Sequence, residues 1–429
     1  MQEALLHYIW KYSLYEIRKY QADTGEHVRI IEPGIHNHDG GPDFTNAKIE
    51  IEDTIWAGNI EIHKQASDWY THNHHLDPTY DNVILHVVTK NNRECYNSQG
   101  RQIPCITIVP DAIIESRYIE LIRSNHSIPC STFLNSIDSD RKSLWLSTLT
   151  VERLEQKSRY FHELLTFTKN SWEETLFIHL ARSFGLKINA LPFELLAKSV
   201  PLKSIISQPG NLFRTEAILF GQAGFLEEIF NDDYPTQLRK EYQYYKRKYS
   251  LKPIHKNLWR FLRLRPLNFP TIRIAQFSDL LTRNSNLLSQ TIDCLTPEQL
   301  REIYSCKVSD YWKTHYSFGV PSTERNKELG INTINTIIIN TIVPLMFVYG
   351  NVKNRNDVKE KAISFLEQIP PEKNHITRTS KEIGFPCRQA AESQALFELT
   401  EHYCSVKRCL DCQIGNLLLS DRLLWSTKA

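Results

Sequence analysis

The chain has 429 residues, 41% of them hydrophobic and 23% charged, with a formal net charge of +2. That length exceeds what one hydrophobic core usually supports, about 250 to 300 residues, so two or three domains are expected. The 15 glycines and 19 prolines exclude a low-complexity or collagen-like chain, and a charge near zero means that partners must be read from local patches.

The first residues, MQEALLHYIWKY, lack a basic leader and a continuous apolar stretch, so a signal peptide is not expected. Leu5, Leu6, Ile9, Trp10, Leu14 and Ile17 recur near a period of 3.6, which predicts an amphipathic helix over 3–20. The period then changes to two. Strands are expected at 28–32, 47–52 and 55–63, the last two forming a hairpin that turns at Asp53 and Thr54. Ser67 can cap a helix through Trp69 to about His74, closed before Asp77-Pro78, and strands follow at 82–89 and 103–109. Helix, three strands, helix and two strands describe a small mixed α/β unit, so the fold class is α+β, with a mixed sheet followed by a large helical region.

From Asp111 onward helical patterns dominate, at 143–169, 172–184, 192–198, 212–220, 235–249, 296–304 and 362–367. The apolar run 331–349 is interrupted by Asn332, Asn335, Asn340 and Pro344, which favours a buried core helix over a membrane span. The expected domains are 1–110, 111–325 with a basic segment at 239–273, and 326–429. Nine cysteines, five of them (Cys95, Cys105, Cys130, Cys294 and Cys306) without paired spacing, fit a reduced, cytoplasmic protein better than a disulfide framework. No membrane partner is expected.

Acids and histidines crowd into 36–86 around Trp69: His36, His38, Asp43, Glu61, His63, Asp68, His72, His74 and His86. Alternation along a strand places Glu61 and His63 on one face and Ile60 and Ile62 on the other. In the simplest hairpin register Asp43 approaches them from the neighbouring strand. Two carboxylates so close call for a cation, and carboxylates with carbonyls suit Mg²⁺ or Mn²⁺ while added imidazoles suit Zn²⁺. The blander reading makes these residues loop caps, surface histidines and an internal ion pair.

Two further features bear on partners. Arg239, Lys240, Lys246, Arg247, Lys248, Lys252, Lys256, Arg260 and Arg263, interleaved with Tyr242, Tyr244, Tyr245, Tyr249, Trp259, Phe261 and Phe269, describe a nucleic-acid surface of phosphate-neutralising cations and stacking rings; the alternative is a solvated helix face with inward tyrosines. In the tail, Cys404, Cys409 and Cys412 have metal-ligand spacing, and Cys387 or His402 could complete four ligands for zinc; with cysteine alone the site could take an iron–sulfur cluster.

The motifs GGPDF at 40–44, GNIEIH at 58–63, Ser67-Asp68-Trp69 and the tail run YC…CLDCQIG at 403–415 resemble an uncharacterised bacterial domain-of-unknown-function family along the whole chain. The N-terminal unit also distantly resembles the PD-(D/E)XK nuclease superfamily. Pro42-Asp43 and Glu61-Ile62-His63 match its Pro-Asp and Glu-x-Lys positions, with His63 where that superfamily has lysine and Lys64 pointing to the opposite face. The resemblance implies Mg²⁺ or Mn²⁺ held by Asp43, Glu61 and the Ile62 carbonyl, with His63 orienting or deprotonating water and Glu16 as an auxiliary acid. Some nucleases of that superfamily carry an iron–sulfur cluster on cysteines flanking the core; here all four candidates follow it. The expected function is a metal-dependent nuclease acting on DNA or RNA. The alternatives are a non-catalytic nucleic-acid-binding or scaffolding protein, and a zinc hydrolase using His36, His38, His63 or His72.

Overall fold

The computed structural model describes residues 2–15, 20–207 and 209–421. An N-terminal mixed sheet is followed by many helices, which is the expected α+β class. Helix α1 (Glu3–Lys11) buries Leu5, Leu6, Ile9 and Trp10. It is shorter than the predicted 3–20, because Tyr12 caps it and Ser13 turns into the left-handed region at φ 52°. Strands β1 (Tyr20–Gln21), β2 (His27–Glu32), β3 (Ile35–His36), β4 (Phe44–Ile51), β5 (Thr54–Gln65), β6 (Val83–Lys90) and β7 (Cys105–Thr107) form one sheet in the order β1-β2-β4-β5-β6-β7, with β3 beside β4. Strands β2, β4 and β5 run antiparallel in sequence, and β6 and β7 join parallel.

The hairpin turns at Glu52 and Asp53, with Glu52 at φ 52°, so the turn lies one residue earlier than expected. The helix expected from Trp69 to His74 is only one turn, α2 (Asp68–Thr71), followed by short 3₁₀ turns at His74–Leu76 and Pro78–Tyr80. This segment provides the crossover that a parallel β5–β6 pair requires. One sheet face packs Ile60, Ile62, Leu85 and Val87 with Leu6 and Trp10. Another cluster joins Val83 and Val88 to Trp69 and Tyr80 of the crossover.

The chain divides into two compact units at places other than the expected boundaries near 110 and 325. One comprises Met1–Trp145, Ile383–Phe385 and Leu399–Ala429; the other comprises Leu146–Glu382 and Pro386–Glu398. The tail therefore belongs with the sheet. The second unit is helical around one apolar core that includes Phe177, Phe184, Phe220, Phe277 and Trp312. Its run 331–352 is long and apolar enough to cross a membrane, yet 67% of its most apolar window is buried inside the fold. Within it Ile338–Ile342 forms a π turn. Pro344, which has no N–H and crowds the carbonyl four residues back, accounts for that local widening.

Candidate metal centre

Pairing of Phe44 with Ile60 puts Asp43, the residue before β4, opposite Glu61. The main chain then holds both carboxylates. Asp43 N–H donates to Glu61 Oε2 at 3.0 Å, and Ile62 N–H donates to Asp43 Oδ2 at 2.9 Å. A strand residue presents its N–H and C=O to the same edge, so the Ile62 carbonyl also faces this side. Asn37 staples the loop that delivers Asp43: its Nδ2 donates to the carbonyls of Gly40 (3.3 Å) and Pro42 (3.0 Å), and its N–H to Asp43 O (2.8 Å).

The parallel register sets His86 of β6 beside Glu61. His63 Nδ1 lies 2.9 Å from His86 Nε2, and His63 Nε2 lies 3.1 Å from His72 Nδ1. Glu61 Oε1 is 3.1 Å from His74 Nε2 and 3.5 Å from His63 Nε2. Asn73, left-handed at φ 63°, turns the chain between His72 and His74. Ligating atoms of His63, His72 and His74 lie within 4.8 Å of one another, the metal-capable group found among the described residues. Tyr80 stacks on His74 at 3.8 Å, and Trp69 closes the back against His74 and His86.

From α1, His7 Nε2 comes within 3.3 Å of Asp43 Oδ2. Although buried, His7 Nε2, His74 Nε2 and His86 Nδ1 have no partner in hydrogen-bonding geometry; the approaches of His7 to Asp43 and His74 to Glu61 are close but misaligned. Buried polar atoms are normally satisfied; His7 and His74 meet that demand in part through the two carboxylates, whereas His86 Nδ1 does not.

Electrostatics divides the carboxylates. Burial works to raise Asp43, but His7 and the Ile62 N–H bring it below its ordinary value. Glu61 is raised, first by burial and then by the charge of Asp43, which outweigh His74. Such splitting is expected of two carboxylates sharing one site. His63 is pushed down to about 2 by burial and by His86, His74 and His72, and His86 to about 3 by burial and His74. Both imidazoles are therefore neutral near pH 7 and fit for coordination. Two carboxylates, a carbonyl edge and a group of imidazoles, two of them neutral, together fit a divalent ion.

The remaining candidates fall elsewhere. Glu16 lies outside the described residues. His36 packs against His7, His38 and Phe44, and His38 is exposed; the imidazoles that converge with His63 are His72 and His74. Asp68 accepts the Gln65 N–H, and the Trp69 indole donates to Tyr96 O, so both serve structure. Lys64 is exposed.

In the basic segment, Lys240, Arg247, Lys248, Lys252, Arg260 and Arg263 are exposed, Arg239 and Lys246 are half-buried, and Lys256 pairs with Glu228 at 2.5 Å. Its rings correct the expected stacking platform: Tyr242, Tyr245 and Trp259 are core residues, and only Tyr244 among those named is exposed. Cys387 lies in the helical unit, whereas Cys404, Cys409 and Cys412 lie in the sheet unit. Sequence reasoning missed His7 and Asn37. The apolar period identifies the inward face of α1 but gives His7 no weight, and Asn37 acts only through loop hydrogen bonds.

A family described as "Protein of unknown function (DUF2851)" matches residues 3–375. No curated protein and no solved structure matches the chain.

Proposed function

The chain belongs to the DUF2851 family, and we propose that this member is a divalent-metal-dependent nuclease whose centre is built on Asp43 and Glu61. The observation that carries the proposal is the pair of carboxylates fixed side by side by the N–H groups of Ile62 and Asp43, with the imidazoles of His7 and His74 drawn up against them. The strand order, an antiparallel trio followed by a parallel fourth strand with the acids at the start of one strand and within the next, supports the resemblance to the PD-(D/E)XK core.

Asp43, Glu61 and the Ile62 carbonyl would hold Mg²⁺ or Mn²⁺, and such an ion supplies phosphate-charge neutralisation and an activated water. The protein's own groups do the rest. His63 is too weak a base to take a proton at neutral pH, so its role here is to orient water or the ion's ligands. Beside His7, a cavity of about 240 Å³ is lined by Lys11, His36, Lys407 and Arg408. Asp411 also lines it and pairs with Arg408 at 3.0 Å, so Lys11 and Lys407 are the cations that suit a phosphate backbone. The exposed cations of 240–263 offer the helical unit a further polyanion surface.

The test is cleavage of labelled single- and double-stranded DNA and RNA with Mn²⁺ or Mg²⁺. Asp43→Asn and Glu61→Gln should each reduce cleavage by at least about a hundredfold, the several kcal/mol a metal centre contributes. Binding without cleavage, unchanged by either variant, would favour a nucleic-acid-binding scaffold. A second reading is favoured by the convergence of His63, His72 and His74: a Zn²⁺ hydrolase with Glu61 as base. In that case His72→Ala abolishes activity while Asp43→Asn largely spares it.

A further inference from the structure

Four thiols from separate stretches of the sheet unit line one small cavity: Cys130, in the loop after the helix Ala112–Arg123, and Cys404, Cys409 and Cys412 of the tail. All four are buried and none is in a disulfide. We propose that they hold an iron–sulfur cluster, with Cys130 in the place that spacing alone would give to Cys387. This goes beyond the nuclease reading and does not depend on it.

Cys130 is under the influence of Cys412 and Cys409, and Cys404 under that of Cys130, Cys412 and Cys409. By contrast Cys387 lies in the other unit, where its charged neighbours are Glu392 and Lys381. Burial pushes the thiols up, Cys409 to about 11, so the fold without a cation keeps four polar S–H groups in an apolar place. A bound cationic centre reverses that by taking them as thiolates and releasing their protons.

Donors are already turned toward sulfur. The N–H groups of Ile414 and Gly415, at the start of the helix Gln413–Ser420, and the indole of Trp145 act on Cys412 in the direction of thiolate. Trp145 is 3% exposed, and its buried indole nitrogen is without a hydrogen-bond partner. Hydrogen bonds of this kind to ligating sulfur tune iron–sulfur centres. The loop is also tightly wound: a Cβ on Gly415 would stand 1.9 Å from the Cys409 carbonyl oxygen, so only glycine lets the helix start press against the 409–412 turn.

The sulfurs are spread more widely than one tetrahedral ion requires, which suits a cluster. Four thiolates bonded to one tetrahedral Zn²⁺ at about 2.3 Å stand roughly 3.8 Å apart. Among the described residues, the trio whose ligating atoms come within 4.8 Å of one another is His63, His72 and His74, not any three of these sulfurs. Thiolates that hold several irons sit at the corners of a larger body and are correspondingly further apart.

The full chain, expressed with iron supplementation and purified without oxygen, should contain iron and acid-labile sulfide in equal amounts, with the visible thiolate-to-iron absorbance. Cys130→Ser and Cys404→Ser should lose both, and Cys387→Ser should keep both, with circular dichroism checking that each variant folds. The native chain decides the matter even if a variant does not fold. Stoichiometric zinc, absence of metal, or a cluster retained in Cys130→Ser and lost in Cys387→Ser would each overturn the assignment.

Discussion

His63 and His86 are imidazoles that the folded sheet keeps neutral, and this makes stability depend on pH. Their folded pKa values, about 2 and about 3, lie below the unfolded value of about 6.5, so the stability they contribute is present above pH 6.5 and is lost as pH falls below it. His7 is raised by Asp43 against the opposing effect of burial, so its contribution is present below pH 6.5 and lost as pH rises. Below pH 6.5 His7 is protonated in the folded and unfolded chain alike, so acidification is governed by the two neutral imidazoles, each worth up to about 1.4 kcal/mol per pH unit. Hydrogen-exchange protection of the β5 and β6 amides in the metal-free protein should therefore fall between pH 7 and pH 5.5, after correction for intrinsic rates, and a rise would contradict the buried neutral imidazoles. At this scale the sequence was partly legible. Glu61, His63 and Asp43 follow from strand alternation and hairpin register. His74 joins them only because Asn73 turns left-handed, and His7 only because α1 lies against the sheet, neither of which a local pattern encodes.

At the level of elements, the β5–β6 pair sets the register of Glu61 with His86, and Gly58 makes its close approach possible. A Cβ there would meet Ile84 Cγ2 at 2.4 Å and the Asn82 carbonyl oxygen at 2.8 Å. Gly58→Ala should destabilise the sheet unit by about 1 to 3 kcal/mol, seen as a lower thermal midpoint, and should weaken metal binding because the two strands must part. The helix Asp233–Lys248 behaves differently. Leu238, Tyr242 and Tyr245 form its buried stripe, so the rings that suggested base stacking are spent on packing, and the spacing of four and three residues already favoured that outcome. Its exposed cations are unaffected by the correction. Replacing Lys240, Arg247 and Lys248 with glutamate should flatten the salt dependence of nucleic-acid binding by about 0.9 in log–log slope for each phosphate no longer neutralised; an unchanged slope would remove this helix from the interface. The 404–412 loop joins the thiol cluster to the first site, since Lys407 and Arg408 line the cavity next to His7. Loss of the cluster should weaken nucleic-acid binding several-fold in a filter-binding assay without abolishing metal binding at Asp43.

For the whole molecule, the α+β class and most helices were legible because long amphipathic patterns and alternating strands report directly on burial. The division into units was not. Leu399–Ala429 belongs with the N-terminal sheet unit, a return of the chain that leaves no mark in local composition, and for the same reason Cys130 could not be matched to the tail cysteines by spacing. Calorimetric titration of the full chain with Mn²⁺ decides whether the sheet unit's acids and imidazoles form a divalent-metal centre. A saturable site is expected, which Asp43→Asn and Glu61→Gln each weaken by at least about tenfold and Asp68→Asn leaves unchanged. No saturable binding, or binding indifferent to both carboxylates, would contradict such a centre.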